Sequence, residues 1–260
     1  MSDSLTNSYQ IPQIADRETW RAKVGELRIK EKAHTRAGDA LAAERRRLPM
    51  VEVDPTAKLI GADGLVPLID VFDGRSQLIA YFHMWHAGRP AAEQCEGCTF
   101  STTHISEVSY LNSRDVSYAT FCEGPYEESS RYHDFMGWTT PWYSVPPESV
   151  DALIADRHFG ILASYIRQGD RVFETYWTTG RGNEPMSPSY GLLDLTAYGR
   201  QELWEDSPEG WPQRWDSNRR SGGSQFRLDG RPTAQWSRIK AGRDDDLGAA
   251  AGEDSEHHCH

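Results

Sequence analysis

Leu78-Ile79-Ala80-Tyr81-Phe82-His83-Met84-Trp85 and the Cys95-Glu96-Gly97-Cys98 that follows it decide how this chain is read. Leu78 to Phe82 is nearly continuous in apolar character, as a central strand covered on both faces requires. Gly88 to Pro90 opens the loop that carries the cysteines, and beyond Cys98 the apolar residues Ile105, Val108 and Leu111 recur at helical intervals up to Asp115. A strand that delivers a CxxC to a helix N-terminus points to thiol–disulfide chemistry. The attacking species is a thiolate, and a helix N-terminus stabilises a nearby anion by about 0.3–1 kcal/mol, or up to about 2 when it is partly buried. The arrangement predicts Cys95 at or just before the first turn, with an exposed sulfur, as nucleophile. Cys98, one turn further in, is the resolving thiol. Glu96 opposes thiolate formation next to it and favours a reducing or slow couple over a strong oxidant.

The remaining chain supplies elements around this unit. Asp16 to Leu48 reads as one long helix, with Trp20, Val24 and Leu27 on one face, Arg45-Arg46-Arg47 in its last turn and Pro49 as its stop. Met50 to Val53 and the runs at Leu59-Ile60 and Leu68 to Phe72 read as hairpin material at a sheet edge. Val116 to Phe121 is a second strand, and Glu127 to Met136 a helix ended by Gly137. A shorter helix is expected over Glu148 to His158. Ile161 to Arg167 and Arg171 to Thr178 form a hairpin through Gln168-Gly169-Asp170, and Leu192 to Trp204 is expected to be a closing helix. Strand, CxxC helix, strand, helix, antiparallel hairpin and helix is the thioredoxin-fold order. The fold class is therefore α/β, a thioredoxin-like mixed sheet flanked by helices, with an N-terminal helical extension. The expected division is a flexible N-terminus (1–15), a helical arm (16–49), a thioredoxin-like domain (50–215) and a mobile acidic tail (216–260) with few core formers.

A net charge of -11 and a pI near 5.3 argue against nucleic acid or an anionic membrane as partner, since either needs a concentrated positive surface. The polar start lacks a secretory signal and no 18-residue apolar stretch follows, so a cytoplasmic protein is expected. Four cysteines in 260 residues, two of them three positions apart, are unlike a disulfide framework and suit a reducing compartment.

The spacing alone leaves alternatives. His83, His86, Cys95 and Cys98 make a formal zinc set, although residues three apart on a continuing strand point to opposite faces. His86 lies close enough in sequence to carry a proton for Cys95, while His83 points into the sheet. Cys122 fits a packing role, and Cys259 sits in a His257-His258-Cys259-His260 terminus. Trp85, Trp138, Trp142 and Tyr143 either wall a pocket near the cysteines or fill the core.

Several ordered motifs carry a family resemblance. Phe72-Asp73-Gly74-Arg75-Ser76-Gln77-Leu78-Ile79, the Cys-x-Gly-Cys at Cys95–Cys98, Leu111-Asn112-Ser113-Arg114-Asp115-Val116, Met136-Gly137-Trp138-Thr139-Thr140-Pro141-Trp142 and Leu193-Asp194-Leu195-Thr196-Ala197-Tyr198-Gly199-Arg200 together resemble a bacterial thioredoxin-like family of unknown function. Its members are described as dithiol-disulfide oxidoreductases. The resemblance implies a thioredoxin-like fold related to peroxiredoxins. Where thioredoxins place a proline before the strand facing the cysteines, this chain has His158-Phe159-Gly160, and the peroxiredoxin threonine is replaced by Ala92.

The expected function is dithiol-disulfide exchange with Cys95 attacking and Cys98 resolving, assisted by His86, with no cofactor and no metal. Its partners would be a protein or small-molecule disulfide and a thiol donor, with a homodimer possible. The alternatives are a non-catalytic binding module that holds zinc and, third, a thiol peroxidase.

Overall fold

The computed structural model describes residues 9–215 and 226–242. From Asp16 the chain enters α1 (Arg17–Arg45), and the Asp16 carboxylate accepts hydrogen bonds from the Thr19 N–H and hydroxyl, both at 2.8 Å. None of the helix's residues is buried.

The sheet begins with β1 (Val51–Val53), β2 (Lys58–Gly61) and β3 (Gly64–Pro67). Leu68 to Phe72, expected as a strand, is a 3-10 turn that drops Leu68, Val71 and Phe72 onto the core. Then come β4 (Gln77–His83), α2 (Glu96–Thr103), the single turn α3 (Ser109–Asn112), β5 (Val116–Cys122), α4 (Tyr126–Met136), β6 (Trp142–Ser144), α5 (Val150–Ile154), β7 (Ile161–Gln168) and β8 (Arg171–Thr179). The eight strands lie in the order β1-β8-β7-β4-β5-β6-β2-β3. β4 is parallel to β5 and β5 to β6, whereas β7 runs antiparallel to both β4 and β8. A CxxC helix following a central strand, with a parallel neighbour on one side and an antiparallel hairpin on the other, is the thioredoxin-like arrangement expected from the sequence. Trp142 to Ser144, for which no element was expected, adds a strand beside β5.

Strand periodicity divides the residues of β4 and β5 between two faces. Leu78, Ala80, Phe82, Ala119 and Phe121 pack with Leu153, Ile154, Phe159 and Ile161 in one core cluster, where Phe82 meets Phe121 edge-on at 5.3 Å. Tyr81, Tyr118 and Cys122 face the other way, into clusters that include Cys95 and Cys98 from α2 and Tyr132, Phe135 and Met136 from α4.

Three further expectations for elements change. Helix α2 stops at Thr103, because the Glu107 carboxylate accepts the Ser109 N–H at 2.6 Å and starts a separate turn. Ile105, Val108 and Leu111 still pack against the cysteine cluster. Leu192 to Trp204 is not a helix. After α6 (Pro188–Leu193), Gly199 and Gln201 take φ of 60° and 59°, a left-handed backbone that interrupts any helix, and Leu192, Leu195 and Leu203 are exposed. The Arg200 guanidinium instead forks onto Asp194 at 2.8 and 2.7 Å. Contacts group residues 189–215 with residues 9–49 as one unit and residues 50–188 with 226–242 as another.

The third change concerns the range expected as a mobile tail. Residues 226–242 within it form a hairpin of β9 (Arg227–Leu228) and β10 (Arg231–Pro232), then α7 (Trp236–Lys240). This segment docks mainly by hydrogen bonds from Arg227, Gln235 and Arg238 to backbone carbonyls, so a low count of apolar residues hid it. Cys259 and the terminal histidines lie outside the described residues. Among the described residues, no helix is long and apolar enough to cross a membrane.

Candidate functional site

At His83 the central strand ends, and the chain loops through Met84 to Gln94 before α2. Buried Gln94 braces this loop: its Oε1 accepts the His86 N–H at 3.0 Å, and its Nε2 donates to the carbonyls of His86 and Arg89, both at 2.9 Å. Glu128 accepts from the Trp85 indole at 3.0 Å and from the Gly88 N–H at 2.8 Å, which ties the loop to α4. The bracing sets Cys95 at the N-cap of α2, where its carbonyl accepts the Thr99 N–H at 2.9 Å.

The two sulfurs are brought together as the spacing predicts, but Cys95 is not exposed. It is 3% accessible and Cys98 2%, in a cluster with Tyr81, Tyr118 and Met186. The Cys98 thiol donates to Cys95, and with the Cys98 and Gly97 N–H groups it lowers the Cys95 pKa to about 7 against the opposing effects of burial and the Glu96 charge. The same bond, with burial and the Cys95 charge, pushes the Cys98 thiol well above its ordinary value. The two thiols thus differ, with Cys95 at the N-cap the more readily ionised and Cys98 one turn in the less.

Tyr81 is the neighbour of the cysteine pair that sequence reasoning did not single out. Its hydroxyl bonds the Cys98 sulfur, which also accepts the Met84 N–H at 3.3 Å. Burial and the neighbouring Cys98 hold the phenol well above its usual pKa, so it is a neutral donor. The available signal was the strand period, which places Tyr81 two residues from Ile79 and from His83 on the helix-covered face.

The histidines separate. His86 is exposed, with Nδ1 2.7 Å from the Glu93 carbonyl, so the ring braces the loop. His83 is fully buried, with Trp142 at 5.2 Å and Trp138 at 6.0 Å. Burial lowers its pKa to about 3 and keeps the ring neutral. Among the described residues no group of three or more His, Cys, Asp or Glu side chains is placed to hold a metal, so the formal zinc set is not assembled. Trp85, Trp138 and Trp142 are core, and burial raises the Cys122 thiol to about 12.

Glu96 is also buried, at 6% accessible, and it faces Arg227 from the C-terminal segment at 3.2 Å. Residues 9–219 match the sequence profile of the family described as "Bacterial protein of unknown function (DUF899)". The chain belongs to this family. Comparison with curated proteins gives no match. Among solved structures, thioredoxin from Wuchereria bancrofti is similar, at 17% identity and a TM-score of 0.36, over 53% of this chain and 90% of that one. In this DUF899 chain the cysteine pair lies within the matched residues, and Arg227 lies beyond them.

Proposed function

We propose that this DUF899 protein is a thiol–disulfide oxidoreductase. The observation that carries the reading is the pair at the start of α2: Cys95, with a pKa lowered to about 7, is hydrogen-bonded by a Cys98 thiol whose own pKa is raised. The Cys95 thiolate attacks a substrate disulfide. The substrate S–S bond breaks, one substrate sulfur leaves as a thiolate that takes up a proton, and a mixed disulfide remains on Cys95. Cys98 then gives up its proton and attacks the Cys95 sulfur, releasing the second substrate thiolate and closing the Cys95–Cys98 bridge. Two electrons pass to the substrate, and an external thiol donor restores the pair. With Cys95 only 3% accessible, the substrate reaches it when the cover over the sulfur opens.

Mass analysis of protein held in a graded thiol–disulfide buffer tests this. The expected result is a bridge between Cys95 and Cys98 that dithiothreitol reverses, and no bridge at any applied potential overturns the reading.

The burial of Cys95 favours a second reading, because a small peroxide enters such a site more readily than a protein disulfide. The thiolate would break the O–O bond to give a sulfenic acid and an alcohol or water, and Cys98 would displace water to close the same bridge. Hydrogen-peroxide consumption with a thiol donor would then vanish in Cys95→Ser and survive, slowed, in Cys98→Ser. Equal loss in both variants argues against it.

A further inference from the structure

Glu96 is the least expected side chain in the site, a carboxylate beside the attacking sulfur and nearly out of water. A buried charge of this kind persists only where it is paired and hydrogen-bonded. Its partner comes from about 130 positions downstream. Arg227 approaches the Glu96 carboxylate through Nε and Nη2, both at 3.2 Å. The same guanidinium donates to the Ala92 carbonyl at 2.6 Å and the Gln94 carbonyl at 3.0 Å, on the N-terminal side of Cys95, and to Gly230 of its own hairpin at 2.7 Å. A planar fork with five donors suits this task, which a lysine ammonium cannot reproduce.

The rest of the segment holds Arg227 in place. Phe226 packs near Gly97 and lies 4.9 Å from the Phe100 ring, on the outer side of α2. Gln235, fully buried, donates to the Ala91 carbonyl at 2.7 Å and the Tyr132 hydroxyl at 2.8 Å. Arg238 caps α4 through the Met136 carbonyl at 2.9 Å. The segment therefore joins the cysteine loop to α4, and it belongs to the same compact unit as both.

We propose that Arg227 is a positioning residue for the thiol pair: by neutralising Glu96 and tying down the carbonyls before Cys95, it makes the C-terminal segment a working part of the site. The inference rests on the thiol-exchange reading for its purpose. Residues 226–242 follow the part of the chain that the family profile matches, so the clamp is an addition to the matched region. Of the other charged groups near the loop, Glu93 is engaged by Arg89 at 3.3 Å in an exposed pair, Glu123 and the half-buried Glu128 accept from the Trp85 N–H and indole, and His86 is turned to solvent, which leaves Glu96 as the buried anion whose charge opposes the thiolate.

The test measures the alkylation rate of Cys95 against pH in the full-length reduced protein, resolved from the other cysteines by peptide mass spectrometry. Two quantities are read: the midpoint, which reports charge at the sulfur, and the plateau rate, which reports access. Arg227→Gln is expected to move the midpoint up by about one unit, so that thiolate well below the midpoint falls about tenfold, and to raise the plateau by loosening the cover. Glu96→Gln/Arg227→Gln restores the midpoint and keeps the raised plateau, and Arg227→Lys falls between wild type and Arg227→Gln. A purely structural arginine moves the plateau alone, which overturns the proposal. An unrestored midpoint in the double variant also overturns it. Should Arg227→Gln fail to fold, Glu96→Gln alone decides: the unopposed arginine lowers the midpoint, and an unchanged midpoint rejects the role. Failure of the Cys95–Cys98 bridge to form would sink the oxidoreductase reading while leaving these midpoints readable.

Discussion

Cys98 shows how single residues divide the work. Its sulfur accepts from the Met84 N–H and from the Tyr81 hydroxyl, and the second bond opposes the rise in pKa imposed by Cys95 and burial. Replacing Tyr81 by Phe keeps the ring in its cluster and removes that donor. A hydrogen bond to a charged group contributes about 1.5–3 kcal/mol, so closure of the bridge by Cys98 should slow by roughly tenfold or more. The rate at which Cys95 first attacks a disulfide dye should stay near wild type. Stopped-flow measurement of both steps checks this, and equal slowing of the two would remove Tyr81 from the resolving step. The placement of the cysteines at a helix start was legible because an apolar strand precedes them and helical spacing follows. Tyr81 was not, because a tyrosine within an apolar strand looks like packing until its face is known. His86 was singled out by closeness in sequence, which gives reach but not orientation, and its Nδ1 faces the Glu93 carbonyl.

The elements were most legible where periodicity and turn chemistry agreed. β4, β5, α4 with Gly137 at its end, and the β7–β8 hairpin around Gly169 were all readable on these grounds. They were least legible where side chains bond backbone groups far away in sequence, as in the docked hairpin of residues 227–232. The short helix α5 shows the energetic side of such contacts. Arg157, just beyond it, donates to the Leu153 and Ile154 carbonyls and forks onto Glu174 of β8 at 2.7 and 2.9 Å. Both side chains are largely buried, so removing one leaves an unpaired charge. Arg157→Leu should lower stability by about 3 kcal/mol or more, and adding Glu174→Leu should recover much of that, as expected for a buried pair whose desolvation nearly cancels its attraction. Urea unfolding of the single and double variants measures the difference. A single variant within about 0.5 kcal/mol of wild type would show that the pair contributes little to holding α5 against the sheet.

Over the whole molecule these buried groups predict how stability follows pH. His83 has Nδ1 2.8 Å from the Met84 carbonyl, while its Nε2 is buried with no hydrogen-bond partner. Its pKa is lowered from 6.5 to about 3 by burial, so between those values the unfolded chain binds a proton that the folded chain refuses. Stability therefore falls as the pH drops from about 6.5 toward 3, by about 1.4 kcal/mol per pH unit from this residue alone. Cys95 acts in the same direction at higher pH. Its pKa is lowered to about 7 from 9.0, so its contribution is full above about 9 and is lost as pH falls through 7. Cys98, raised well above 9.0, and Cys122, raised to about 12, have the opposite sign, because above pH 9 the unfolded thiols ionise first and stability is lost. The reduced protein should thus gain stability from about pH 7 upward and be most stable close to pH 9. His83→Leu tests the acid limb. In urea titrations between pH 6.5 and 4.5, above most carboxylate titration, the slope of stability against pH should fall by about 1.4 kcal/mol per unit relative to wild type, whatever the substitution does to stability at pH 8. An unchanged slope would mean that His83 is protonated inside the fold, and the aromatic cluster around Trp138 and Trp142 would then enclose a cation.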